Sequence, residues 1–222
     1  MPKRIIIIGA NAAGTDAAVA ARKIDRKAEI TLIEKENLGA YSRCGLPFVL
    51  SGRIPSFKNL IVYPSSFYRM MKFDLRLETT ATNIDTKSKT LEVETKDGRQ
   101  ETLEYDSLIL ATGAHPFRLP IPGIDKKGVF SLHSLRSGEN IAEAMKKARS
   151  AVVIGSGLVG LETTEAFIEK GIKTTVIEML PSLLPRLLDK DMSREVQRRF
   201  EEKGANFILG KPAGAILGDE KV

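Results

Sequence analysis

The sequence has a single cysteine, Cys44, so no intramolecular disulfide can form. Nothing asks for an oxidising compartment, and a cytoplasmic location is the expectation. Long apolar runs are also missing, none approaching the roughly 20 residues that span a bilayer. The opening run Ile5-Ile6-Ile7-Ile8 stops at Gly9, too soon for the apolar stretch of a secretory signal. It reads as a buried strand, and no membrane span is expected. Charge of one sign is not segregated either. The net charge is +6, but basic and acidic residues alternate from Glu139 to Arg149 and from Asp189 to Lys203. Such stretches are solvated helix faces rather than a nucleic-acid surface, and the positive excess also suits small anionic ligands. There is no low-complexity segment and no metal-ligand set is expected.

What is present is an ordinary globular composition, 42% hydrophobic and 28% charged. The 222 residues are enough for two domains of about 100 residues each. Two segments echo each other. The first is Arg4 to Ile8, then Gly9-Ala10-Asn11-Ala12-Ala13-Gly14, an Ala-rich helix to about Lys23, and a strand from Glu29 to Glu34. The second is Ala151 to Ile154, then Gly155-Ser156-Gly157-Leu158-Val159-Gly160, a helix to Lys170 stopped by Gly171, and a strand from Lys173 to Glu178. Short apolar runs bounded by glycine and followed by helices predict βαβ units with parallel strands buried on both faces.

The fold class expected is α/β, with two Rossmann-like dinucleotide-binding domains at 1–114 and 115–222. Between the echoes lie a helix-forming stretch after Cys44, strand-like segments from Asp74 to Thr95, a turn at Lys96-Asp97-Gly98 and the apolar strand Leu108–Ala111. The proline-rich stretch Leu119–Gly123 is read as the connector. Gly218 to Lys221 reads as a hairpin turn.

A dinucleotide pyrophosphate must approach the backbone at a helix N-terminus, where free N–H groups and the helix dipole stabilise its charge. In the second echo Gly155, Gly157 and Gly160 supply the tight turn, the close approach and the helix–strand packing. Glu178, eighteen residues past Gly160, stands where a carboxylate accepts a ribose hydroxyl. A carboxylate there repels a 2′-phosphate, which favours NADH over NADPH; Arg186 reads as a surface residue. The first echo has Asn11 in place of the middle glycine, but Glu34, twenty residues after Gly14, restores the pattern.

Cys44 lies in Tyr41-Ser42-Arg43-Cys44-Gly45-Leu46-Pro47, ten residues beyond Glu34. Pro47 suits the first turn of a helix and Gly52 its end, so the thiol is expected at or just before a helix N-terminus.

The whole chain resembles the pyridine nucleotide–disulfide oxidoreductases, in particular the single-cysteine branch of coenzyme A-disulfide reductases and NADH oxidases. The resemblance rests on the Cys44 segment, on Leu108 to Gly113 followed by Ala114-His115-Pro116, on Ile121-Pro122-Gly123, on the glycines from 155 to 160 with Glu162, and on Val176 to Pro181. It implies FAD at the first site and NAD(P)H at the second, with electrons passing from NADH through flavin to Cys44. The terminal acceptor would be a disulfide of the coenzyme A type, oxygen or a sulfur species.

The cofactor-binding set so implied is Gly9, Ala10, Asn11, Ala12, Ala13, Gly14, Glu34, Lys35, Arg43, Ala81, Ala111, Thr112, Gly113, Gly155, Gly157, Leu158, Val159, Gly160, Glu162 and Glu178. Arg22 matches a position that contacts a coenzyme A phosphate. Ala12 stands where peroxidase members carry histidine, and Ala40 where many members carry serine. His115 and His133 are read as structural or solvent-facing. The resemblance also implies a further C-terminal part, missing here, that completes the FAD domain and builds a homodimer interface. The alternatives carried are a non-catalytic truncated nucleotide-binding module and a ferredoxin- or rubredoxin-reductase-like enzyme with Cys44 incidental.

Overall fold

The computed structural model describes residues 1–220 and 222. The chain runs β1 (Arg4–Ile8), α1 (Ala12–Ile24), β2 (Glu29–Ile33), α2 (Leu46–Ser51), α3 (Ser65–Met70), β3 (Phe73–Arg76), β4 (Thr79–Asp85), β5 (Thr90–Thr95), β6 (Gln100–Glu104) and β7 (Ser107–Leu110). It continues with α4 (Leu135–Met145), β8 (Ser150–Ile154), α5 (Leu158–Glu169), β9 (Lys173–Glu178), α6 (Lys190–Glu202) and β10 (Asn206–Leu209). Two compact units result, one of residues 1–42 and 61–114, the other of 43–60 and 115–222.

In the first unit a parallel sheet has the order β3-β2-β1-β7, with Arg4 opposite Glu29 and Ile5 opposite Ser107. Successive side chains of a strand face opposite ways, and the isoleucines of β1 use both faces. Ile7 packs with Ala18 of α1 and with Ile30, Leu32, Tyr68 and Phe73. Ile6 and Ile8 pack on the other side with Leu91, Val93 and Tyr105, under the antiparallel β4-β5-β6 sheet. Small residues on α1, including buried Gly14 and Ala18, let the helix lie close to the sheet. The Lys96–Gly98 turn forms as expected, Gly98 taking φ 82° between β5 and β6.

The second unit repeats the βαβ plan in the parallel order β10-β9-β8, with Ser150 opposite Lys173. Helix α5 follows β8 and ends at Gly171, where φ is 73°. Residues 43–60, expected with the first domain, pack here instead. Leu50 of α2 is buried against Ile141 of α4 and Ala166 of α5. Gly52 closes α2 in a left-handed conformation.

The connector around Leu119–Gly123 forms no helix or strand. It pairs with the tail, Pro122 O accepting from Ile216 N–H at 2.8 Å and Lys127 O from Val222 N–H at 3.0 Å. The expected hairpin is therefore corrected for Gly218 to Glu220, because the tail finds its hydrogen bonds on the connector; Lys221 lies outside the described residues. Among the described residues no helix is long and apolar enough to cross a membrane.

Candidate dinucleotide sites and the lone cysteine

In the first unit β1 ends in a glycine turn because only glycine fits there. Gly9 has φ 102°, and a Cβ would sit 2.1 Å from the carbonyl oxygen of Ala111. A Cβ on Gly14 would sit 1.7 Å from the Gly9 carbonyl oxygen. Gly9 thus lets the turn pass beneath the end of β7, and Gly14 lets α1 close on the turn. Ala111 N–H donates to Ile8 O at 2.8 Å, which brings the segment of Ala111, Thr112 and Gly113 beside the turn. Thr112 and Gly113 are exposed there, as are Ala12 and Ala13 in the first turn of α1.

Asn11, which replaces the expected glycine, is the N-cap of α1, and its side-chain oxygen accepts from Ala12 N–H at 2.8 Å. Asn11 Nδ2 is buried without a hydrogen-bond partner. The remaining free N–H groups of a helix start, with no acidic residue in the first turn, suit a ligand's anionic oxygens.

Glu34 is buried, 8% exposed, and turns back onto this loop. Its Oε2 accepts from Ala10 N–H at 2.9 Å and its Oε1 from Glu36 N–H at 3.0 Å. Lys35 next to it is exposed. Ala81 lies on β4 beside a bulge and is partly buried against the Ile6 cluster.

The second unit builds the same device. Gly155 N–H donates to Ile177 O at 2.8 Å, as Gly9 N–H does to Ile33 O at 2.8 Å. Gly155 has φ 101°, and a Cβ on Gly160 would sit 2.2 Å from the Gly155 carbonyl oxygen. Gly157 differs: nothing lies within 4 Å of its Cβ position, so its lack of a side chain leaves open space at the start of α5. It is the N-cap and offers no side-chain hydrogen bond, leaving the first-turn N–H groups available. Leu158, Val159 and Glu162 are exposed on this turn.

Glu178, also 8% exposed, takes the place of Glu34. It accepts from Ser156 N–H at 2.8 Å, Ser156 Oγ at 2.9 Å and Leu180 N–H at 2.9 Å. Burial works against its ionisation, but the amides of Leu180 and Ser156, the Ser156 hydroxyl and the Met179 amide outweigh it and hold the carboxyl below its usual range.

Cys44 is exposed, in a short 3-10 turn from Arg43 to Gly45 that leads into α2. Arg43 contacts His133 twice, with Nη1 2.8 Å from the ring Nε2 and donating to the carbonyl at 3.2 Å. His133 thus holds the residue next to the thiol, and the ring of His115 lies 6.4 Å away.

Arg22 does not fit a phosphate-binding role. Its guanidinium donates to the carbonyls of Met71, Arg26, Ala28 and Lys72 at 2.6–3.1 Å, and it lies over the Phe73 ring. Four of about five N–H donors are used by backbone, so the residue is a structural clamp between the end of α1 and the end of α3.

Three features of the structure had no sequence signal. They are the Ser156 hydroxyl on Glu178, the Tyr68 hydroxyl linking Thr15 and Ala40 N–H at 3.1 and 2.9 Å, and Leu184 at φ 46°. Ser156 stood only as a spacer between glycines.

Comparison with known proteins agrees with this geometry. The chain is 39% identical over 222 residues to an NADH oxidase of Methanocaldococcus jannaschii, covering 99% of this chain and 50% of that protein. It is 31% identical to a CoA-dependent NAD(P)H sulfur oxidoreductase of Pyrococcus abyssi, covering 99% of this chain and 49% of that one. The solved structure of a NAD-dependent persulfide reductase from A. fulgidus superposes with a TM-score of 0.94 at 35% identity, covering 98% of this chain and 41% of that chain. The chain thus spans about half the length of the curated relatives it matches. Residues 3–222 match the family described as pyridine nucleotide-disulphide oxidoreductase, and with its two carboxylate-latched glycine turns the chain belongs to that family.

Proposed function

We propose that the chain is the cofactor-holding part of an FAD- and NADH-dependent oxidoreductase, with FAD at the Gly9–Gly14 turn and NADH at the Gly155–Gly160 turn. The observation that carries this is the repeated latch, in which a buried glutamate at a strand end ties down a glycine turn that opens on a helix start. The first turn fits such a group, since Asn11 Nδ2 is an orphaned buried donor; at the second, Gly157 leaves clear space. When bound, the two cofactors supply a hydride donor and a two-electron relay. The chain's own residues supply backbone N–H groups for the pyrophosphates, Glu34 and Glu178 for the riboses, and the exposed thiol of Cys44.

Cys44 is the redox residue of this proposal. With a disulfide acceptor, NADH and one proton yield NAD⁺ and two thiols, and Cys44 passes through a mixed disulfide. With peroxide or oxygen it would pass through a sulfenic acid. The names of the relatives, an NADH oxidase and a CoA-dependent sulfur oxidoreductase, support acceptors of these classes. A cytoplasmic location and a homodimeric full-length form belong to the same proposal.

The test uses the full-length protein supplied with FAD, NADH and coenzyme A disulfide, polysulfide or oxygen. Cys44→Ser is expected to lower disulfide reduction at least about 100-fold while NADH still bleaches the flavin, because a serine hydroxyl cannot form the mixed disulfide. Unchanged turnover in the variant would move the function to a ferredoxin- or rubredoxin-type reductase.

A further inference from the structure

Ser156 is fully buried, 0% exposed, and all its polar groups are engaged. Its N–H and its hydroxyl both donate to Glu178 Oε2, at 2.8 and 2.9 Å. Its carbonyl accepts from Leu184 N–H at 3.3 Å. Leu184 holds a left-handed conformation, φ 46°, which costs a branched residue about 1 kcal/mol or more and persists only where the surroundings enforce it. The segment after β9 therefore folds back and seats Ser156 from the other side.

The first unit provides an internal control. Ala10 occupies the equivalent position, and its N–H donates to Glu34 Oε2 at 2.9 Å without a side-chain hydroxyl of its own to add. A carboxylate offers about four lone-pair positions. Glu34 gives two of them to the amides of Ala10 and Glu36. Glu178 gives three, to Ser156 N–H, Ser156 Oγ–H and Leu180 N–H. Glu34 thus keeps a position open on each oxygen, whereas the Oε2 atom of Glu178 is full and a ribose hydroxyl must be read by Oε1, beside the Leu180 and Met179 amides.

We propose that Ser156 is the positioning residue that sets ribose selectivity at the second site, its hydroxyl pinning Glu178 so that one carboxylate oxygen reads one ribose hydroxyl and faces any 2′-phosphate. The inference rests on the assignment of the Gly155–Gly160 turn to the nicotinamide dinucleotide. Ser156 touches Glu178 and not the ligand. Without the hydroxyl, Oε2 regains a free position, the carboxylate swings more freely, and its alignment against a 2′-phosphate is lost.

The experiment measures dissociation constants of NADH and NADPH for the full chain by quenching or transfer of nicotinamide fluorescence, with thermal melting as a folding control. Ser156→Ala is expected to reduce the NADH preference about tenfold, the scale of a hydrogen bond to a charged group. Ser156→Thr, which keeps the hydroxyl, is expected to retain the preference. In a Glu178→Ala background the serine substitution should change the ratio no further, since the two residues act through one contact. Equal weakening of both dinucleotides by Ser156→Ala, or a threonine variant as relaxed as alanine, overturns the proposal. If Glu178→Ala itself changes neither affinity, the site assignment fails instead, which keeps the two failures apart.

Discussion

The glycines of the second turn look alike in sequence and do different work, and substitution separates them. At Gly160 an added Cβ meets a carbonyl oxygen at 2.2 Å, so Gly160→Ala forces the turn and α5 apart. The cost expected from overpacking is about 1–3 kcal/mol, readable in urea unfolding. At Gly157 nothing lies within 4 Å and φ is −72°, which alanine adopts freely. Gly157→Ala should therefore keep the melting temperature yet, on the proposed assignment of this turn to NADH, weaken NADH at least about tenfold, because the methyl would fill the open space left for the pyrophosphate. Equal loss of stability in both variants would show that Gly157 serves packing as well.

Glu178 carries a pH signature at the same scale. Its carboxyl is held below the usual range in the folded chain, burial opposing and the amides of Leu180 and Ser156 prevailing. A depressed folded value means that the latch contributes fully above the unfolded value of about 4.3 and is lost as pH falls through the folded one. Acid unfolding should accordingly begin at higher pH than in a Glu178→Gln variant corrected for its neutral-pH loss. An identical acid limb in both proteins would contradict the assigned stabilisation.

Among the elements, α2 is six residues long and owes its position to packing rather than to helix propensity. Leu50 anchors it against Ile141 and Ala166. Leu50→Ala should destabilise the protein by about 2–4 kcal/mol through the cavity it leaves, as measured by denaturant unfolding. The βαβ elements were legible because their signals are local: glycine turns, an apolar run, an Ala-rich or amphipathic helix and a terminal acid lie within a few tens of residues. Contacts made across long sequence separations were not. Residues 43–60 carry no mark of their attachment to α4 and α5, and Arg22 looks like any helix arginine until the carbonyls of Met71 and Lys72 close on it. Ser156 was illegible for the same reason, since its meaning lies in a carboxylate twenty-two residues away.

For the whole molecule, β7 and β8 each end the order of their sheets among the described residues. Leu110 and Val152, on these strands, are 62% and 61% exposed. Unpaired strand edges with exposed apolar side chains promote association. The chain on its own should show concentration-dependent self-association in multi-angle light scattering, reduced by Val152→Lys; a strict monomer at all concentrations would show the edges to be inert.

The central claim is that one chain carries two separate dinucleotide sites, each latched by its own glutamate. The most direct measurement is titration calorimetry of the full chain with FAD and with NADH, alone and in sequence, on the wild type and on Glu34→Ala and Glu178→Ala. Two non-competing sites are predicted, with FAD weakened by the first substitution alone and NADH by the second alone. Mutual competition of the two ligands, or loss of both through either glutamate, would contradict it.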